Sequence, residues 1–364
     1  VKDMKVLLFP LAALQVFSCC QCFMPSSTAI RGASSIRRSS CHASLRASRV
    51  VCSASFPEFL PREMEEIEDV DCINMARSLR RVPVQMDPSF AERAVLTSYS
   101  KTNVEASKEV SPLLLLHGFD SSCLEWRRLQ PRLEEKGVES WAVDVLGWGF
   151  TEREAVSSFS PAAKLSHLVG FIEQHVARPV TLVGASLGGS IAIDVALQRP
   201  DLVDKLVLVD AQGYIDGAAM TGQPRMLQQL GVQVLKSKPL RMFANKIAYS
   251  DPDRWGTEDA MRIGRLHCLT GGWEEAMIGF MNSGGYHLSD KVSQVTKETL
   301  VLWGRDDKIL EPSKYAERFI ADIPSSSLQW VDKCGHVPHL EQPSITAQAL
   351  AEFVSNVRTR EIAS

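Results

Sequence analysis

Three stretches of this chain bring together a hydroxyl, carboxylates and imidazoles at spacings suited to attack on an acyl group. The first is Gly184-Ala185-Ser186-Leu187-Gly188. Residues 180–183 before it are Val, Thr, Leu and Val, as in a buried strand. Residues 191–197 after it read as a helix, with Pro200 just beyond. A sharp strand-to-helix turn would lift the Ser186 hydroxyl clear of the sheet edge, and the glycines let strand and helix approach closely. By itself the pentapeptide also fits an ordinary βα turn. A serine hydroxyl is a weak nucleophile and needs a base that an acid orients. Two further stretches supply candidates: Trp303-Gly304-Arg305-Asp306-Asp307-Lys308 and Asp332-Lys333-Cys334-Gly335-His336-Val337-Pro338-His339-Leu340-Glu341. Asp306, Asp307 and Asp210 are candidates for the acid, and His336 and His339 for the base.

The elements that must position these groups follow an alternating pattern. Strands are expected at 94–100, 112–116, 141–145, 180–183, 205–210, 298–303 and 327–331. Helices are expected at 125–136, 162–175, 191–197, 313–320 and 345–357. Alternation of this kind implies a mostly parallel sheet wound on both faces. Ser186, Asp307 and His336 each follow an apolar strand, so they would meet at the carboxyl edge, where such folds place their sites. Residues 212–291 break the rhythm. They are helical in pattern and carry Met220, Met226, Leu230, Trp255, Trp273, Met277 and Phe280, which predicts a helical cap with an apolar pocket beneath it. Residues 56–93 read as a helical extension, with apolar residues at helical spacing from Met64 to Leu79.

The chain has 364 residues, 45% of them hydrophobic, enough for a large core. A net charge of −3 gives no reason to expect nucleic-acid binding. The charge is unevenly spread. Residues 1–52 carry seven Lys and Arg against Asp3 alone, which is +6, so the rest of the chain is −9. Residues 6–17 form an apolar run suited to a signal-peptide core. Residues 26–55 are rich in Ser, Ala and Arg and free of acid, as in an organelle transit segment. The pair resembles the two-part presequence of algae with complex plastids, so residues 1–55 are set apart from the fold and a plastid address is expected. Secretion is the alternative. The 9 cysteines lack Cys-x-x-Cys spacing in the main part of the chain and read as reduced thiols, with no metal site.

From about residue 94 to 357 the chain resembles the α/β-hydrolases, in particular capped esterases and lipases. The matching pieces are His117-Gly118-Phe119, the segment from Asp144 to Gly149, Gly184 to Gly188, Gly304 to Asp307, and Gly335-His336. The resemblance implies an α/β-hydrolase fold whose core spans 94–211 and 292–364, with a cap over 212–291 following the strand that ends at Asp210. It implies the chain order Ser186, Asp307, His336 for a catalytic triad, since the family's acid stands three residues after the strand-end glycine. It makes the backbone N–H groups of Phe119 and Leu187 the oxyanion donors. Trp126, Trp148, Trp255 and Trp273 are candidates for the pocket. A serine at the turn argues against the branches that use aspartate there. The implied activity is hydrolysis of an ester of an apolar substrate, a lipid or an esterified pigment, without cofactor or metal and with room for peripheral membrane association. Acyl transfer, C–C bond hydrolysis, perhydrolysis and a ligand receptor of the same fold are the alternatives.

Overall fold

The computed structural model describes residues 55–355 except 106, 108 and 221. The signal and transit segments expected over 1–55 therefore lie outside the described residues, apart from Ser55. Eight strands form one sheet: β1 (Arg80–Val84), β2 (Val95–Lys101), β3 (Leu113–Leu116), β4 (Ser140–Val143), β5 (Val180–Ala185), β6 (Val203–Val209), β7 (Thr299–Gly304) and β8 (Ser326–Val331). Their order is β1-β2-β4-β3-β5-β6-β7-β8. β2 is antiparallel to both β1 and β4, and the other neighbours are parallel. β3 is four leucines in a row, all buried. Successive side chains on a strand point to opposite faces. Leu114 and Leu116 accordingly pack into one core, and Leu113 and Leu115 into another on the far side of the sheet. Burial of each such leucine is worth about 2 kcal/mol, and this is why a strand covered on both faces is continuously apolar.

Twelve helices accompany the strands among the described residues. α1 (Val70–Ser78), α2 (Leu129–Glu135), α3 (Pro161–Phe171), α4 (Leu187–Gln198), α10 (Pro312–Asp322), α11 (Pro338–Glu341) and α12 (Pro343–Ser355) surround the sheet. Between β6 and β7 lie α5 (Arg225–Lys236), α6 (Lys238–Ala248), α7 (Pro252–Trp255), α8 (Glu258–Arg265) and α9 (Trp273–Asn282), with no strand among the described residues of that interval.

Two details depart from expectation. The segment read as a helical extension also supplies the edge strand β1, which pairs with β2 from Arg80–Tyr99 to Val84–Val95. Two arginines and Pro83 hid it. Charges and proline weaken a strand signal, yet an edge strand accepts both because one side of its ladder is unpaired. The helix expected over 125–136 is a 3-10 turn, Cys123–Trp126, followed by the shorter α2.

Candidate active site

Register brings the site together before any side chain is considered. Ala185 pairs with Val209, Val209 with Leu302, and Gly304 with Val331, so β5, β6, β7 and β8 end side by side. The next residues along each chain segment are Ser186, Asp210, the Asp306-Asp307 pair and the loop to His336.

Ser186 makes the whole turn between β5 and α4. Its φ is 51° and ψ −120°, a conformation that non-glycine residues seldom adopt and that surrounding structure must enforce. The enforcement is steric. A Cβ on Gly184 would lie 2.2 Å from Gly188 O, and one on Gly188 would lie 2.2 Å from Leu116 O. The turn is further tied by Ser186 N donating to Val209 O, and by Ser186 O accepting from Gly189 N and Gln212 N. The backbone of the loop after β3 passes directly alongside, since a Cβ on Gly118 would be 3.3 Å from Ser186 Cβ. Phe119 and Leu187 therefore flank Ser186 on two sides. The N–H of Leu187 opens α4 and has no intrahelical acceptor.

His336 and Asp307 are joined directly. Asp307 Oδ2 lies 2.8 Å from His336 Nδ1, with Asp307 94% buried and His336 93%. The other Asp307 oxygen accepts from Ile309 N (2.7 Å) and Leu310 N (3.0 Å). Three groups thus fix this carboxyl in position. Burial alone would lower the His336 pKa, but the Asp307 charge and hydrogen bond outweigh it and hold the imidazole above its usual value. With Nδ1 engaged, Nε2 is the nitrogen left for a proton from elsewhere. Ser186 Oγ has no hydrogen-bond partner among the described residues.

Asp210 completes the group without touching the ring in the same way. One of its oxygens accepts from Gly304 N at 3.0 Å, while Oδ2 is buried and has no protein donor. Its carboxyl lies within 4.8 Å of ligand atoms of Asp307 and His336. Burial, followed by the Asp307 charge, pushes Asp210 well above the carboxylate range. Asp306, by contrast, is exposed and accepts from Ser250 Oγ at 2.6 Å. His339 does not face Asp307. Its Nε2 meets Glu125 Oε1 at 2.9 Å, and its ring packs on Trp126 at 4.5 Å.

Three acids that motif reading passed over hold the loops in place. Glu125 Oε2 accepts from Gly118 N at 3.2 Å, which fixes the loop beside Ser186. Burial raises the Glu125 pKa, but the His339 hydrogen bond and nearby charges bring it down to about 2. Glu341 accepts from Gly335 N (2.7 Å) and from Ser250 N and Asp251 N, so it ties the His336 loop to the cap. Asp120, next after Phe119, accepts from His267 Nε2 and Trp273 Nε1 at 2.8 Å each, and pairs with Arg241. The adjacency of Asp120 to His117-Gly118-Phe119 was the available signal for it. Glu125 and Glu341 had none, because their partners are backbone groups and a distant histidine. Asp120, His267 and Cys268 cluster tightly enough to suggest a cation site, and the guanidinium of Arg241 supplies that cation.

The tryptophans separate. Trp148 packs against Phe119 (5.3 Å) and against Phe280 of α9 (5.1 Å), and Phe119 is 6.2 Å from Phe280. An aromatic wall thus joins the Phe119 loop to the cap. The Lys164 ammonium sits 3.8 Å over the Trp148 ring and donates to Leu146 O. Trp273 is spent on Asp120. Trp126 is buried against His339, and Trp255 is half-exposed between the guanidinium groups of Arg128 and Arg254. A cavity of about 150 Å³ lies beside the His336 loop, lined by Ser121, Glu125, Tyr249 and Val337 among others. A larger one, about 500 Å³, lies between Met86, Leu165 and Arg199 and touches none of the residues above. Cys72, Cys123, Cys268 and Cys334 are buried free thiols.

Comparison with known proteins agrees with the fold. Residues 113–349 match the model of the alpha/beta hydrolase family. The chain is 38% identical over 301 residues to the alpha/beta hydrolase domain-containing protein VTE7 of Arabidopsis thaliana, covering 82% of this chain and 91% of that one. It is 27% identical over 263 residues to a 2-hydroxy-6-oxo-2,4-heptadienoate hydrolase of Pseudomonas putida, covering 69% and 91%. In three dimensions it is similar to a thermophilic esterase from Thermogutta terrifontis, with a TM-score of 0.60 and 20% identity over 75% of this chain and 97% of that one. With a family match over more than half its length and a relative this similar across most of both chains, the protein is a hydrolase belonging to the alpha/beta hydrolase family.

Proposed function

We propose that this protein is a serine hydrolase that cleaves a carboxylic ester of an apolar substrate through an acyl-enzyme. The observation that carries the reading is the 2.8 Å contact between Asp307 and His336 at the sheet edge where Ser186 stands at positive φ. In this reading Ser186 Oγ attacks the carbonyl while His336 Nε2 takes its proton. Asp307 orients the ring and stabilises the imidazolium. The charge developing on the carbonyl oxygen is met by the N–H groups of Phe119 and Leu187, fixed in advance by Glu125 and by the start of α4. The link from Oγ to His336 closes when substrate enters, as such contacts often do. His336 then returns the proton to the leaving alcohol, and water releases the acid by the same route.

The aromatic wall of Phe119, Trp148 and Phe280 supports an apolar substrate. Together with the acid-free, arginine-bearing residues 26–55, it supports a lipid or esterified pigment of a plastid. The resemblance to a dienoate hydrolase favours a second reading, C–C bond hydrolysis with the same residues. One experiment addresses both. The protein is treated with a fluorophosphonate and then offered p-nitrophenyl esters from acetate to palmitate, and a 2-hydroxy-6-oxo-dienoate. Labelling at Ser186 with a preference for long acyl chains is expected. Turnover of the dienoate alone would favour the second reading, and an unlabelled serine would remove both.

A further inference from the structure

The cap presents an apolar face that the active site does not use. At about 100° per residue, Met226, Leu227, Leu230 and Val234 share one side of α5. They are 75%, 38%, 62% and 37% exposed. The other side carries Gln228 and Val232, which are buried where α5 meets α9. The side chains expected to line a pocket at Met226 and Leu230 therefore point away from the protein. α5 has only one face to bury, and α9 already covers it.

The charge around this face is one-sided. Residues 217–250 contain Arg225, Lys236, Lys238, Arg241 and Lys246 and no Asp or Glu, in a chain whose net charge is −3. Arg241 is consumed by Asp120. Arg225, which opens α5, and Lys238, which opens α6, are exposed, as is Lys246, and Lys236 is half-buried. Glu274 of α9 accepts from the side-chain amide of Gln233 on α5. An apolar stripe flanked by long cations is the pattern of a helix lying in a bilayer interface. There the apolar side chains enter the acyl boundary and the cations meet anionic headgroups. A protein partner would need acids placed opposite each cation, whereas a fluid anionic surface supplies them at any spacing.

We propose that the outward face of α5, with the start of α6, docks the protein on an anionic lipid bilayer. α6 then runs about 16 Å from that face to the site, where Ala248 O accepts from His336 N at 2.7 Å. The docked cap thus sets the catalytic loop within one short helix of the lipid. No helix among the described residues is long and apolar enough to cross a membrane, so this contact is peripheral.

The test is co-sedimentation of the full chain with two vesicle types, phosphatidylcholine alone and phosphatidylcholine with 30% phosphatidylglycerol. Wild type should sediment with the anionic vesicles and much less with the neutral ones. Each lysine or arginine at such a surface is worth about fivefold in partitioning. The double variant Arg225→Gln, Lys238→Gln should therefore bind roughly twentyfold less, and 0.5 M salt should weaken wild type in the same direction. Met226→Glu with Leu230→Glu should abolish binding while leaving turnover of soluble p-nitrophenyl acetate unchanged. That control separates loss of docking from loss of the proposed catalysis. Three results would overturn the proposal: no binding of wild type to anionic vesicles, equal binding of the glutamate variant, or a wild-type dimer on light scattering that the glutamate variant disperses. The last would make a second copy the occupant.

Discussion

At the scale of single residues, the proposed chemistry depends on which of two adjacent carboxyls holds the His336 ring. Asp307 meets His336 Nδ1 and two backbone N–H groups, whereas Asp210 accepts from Gly304 N alone. Asp307→Asn should cost on the order of 10⁴ in kcat, because the amide favours the wrong imidazole tautomer. Asp210→Asn should keep most activity, since Asp210 makes no hydrogen bond to the His336 ring and an amide oxygen can still accept from Gly304 N. Steady-state kinetics of the two variants decides the assignment, and the reverse ranking would move the acid to Asp210. Ser186→Ala should lower kcat by about 10⁶ and leave the melting temperature near wild type, because only a hydroxyl is lost. The pH dependence follows from His336. In the proposed mechanism the base works only when neutral, and Asp307 holds the His336 pKa above the ordinary 6.5. The acid limb of kcat/KM should therefore have its midpoint above pH 6.5, and Asp307→Asn should move it downwards in the residual activity.

At the scale of elements, the cap is fastened to the core by buried charge as well as by apolar packing. Asp120 gathers Arg241, His267 and Trp273 from three places in the cap. Arg153 reaches back from the core side to Thr270 Oγ1 and Gly271 O while also holding Gly147 O. Removing one partner of a buried pair leaves the other uncompensated, at a cost of about 3–5 kcal/mol. Asp120→Ala should lower thermal stability accordingly and loosen the cap, measurable as faster amide exchange in α6 and α9. Acid should do the same more gradually. Burial raises the Asp120 pKa, but Arg241 and the hydrogen bonds bring it below 3.8, and Glu125 is brought from 4.5 to about 2. A carboxylate depressed in the fold contributes stability that is complete above its unfolded pKa and lost as pH falls towards its folded one. Thermal stability should thus decline between about pH 4.5 and pH 2, and Glu125→Gln should flatten part of that decline.

At the scale of the whole molecule, the chain joins a basic stretch, residues 1–52, to an acidic remainder that carries the hydrolase fold. A fluorescent reporter fused behind residues 1–55 should reach the plastid of an alga with complex plastids, and its appearance in the medium would favour secretion. What the sequence determined by itself was everything carried by local spacing. Strands such as 113–116 announce themselves because a strand buried on both faces must be apolar throughout. Ser186 announces itself because only glycine fits at Gly184 and Gly188. The edge strand β1 was not legible, since an edge has weaker demands and tolerates Arg80, Arg81 and Pro83. Only the tertiary structure showed that Asp307, and not Asp210, meets His336 Nδ1, because both follow apolar strands and differ in what surrounds them. It alone put Glu125 against Gly118 and His339, a contact spanning 214 residues. It alone turned Met226 and Leu230 outward, because α9 covers one side of α5 and leaves the other open. Helical periodicity shows that a helix has an apolar face, but only the packing of its neighbours shows whether that face is buried.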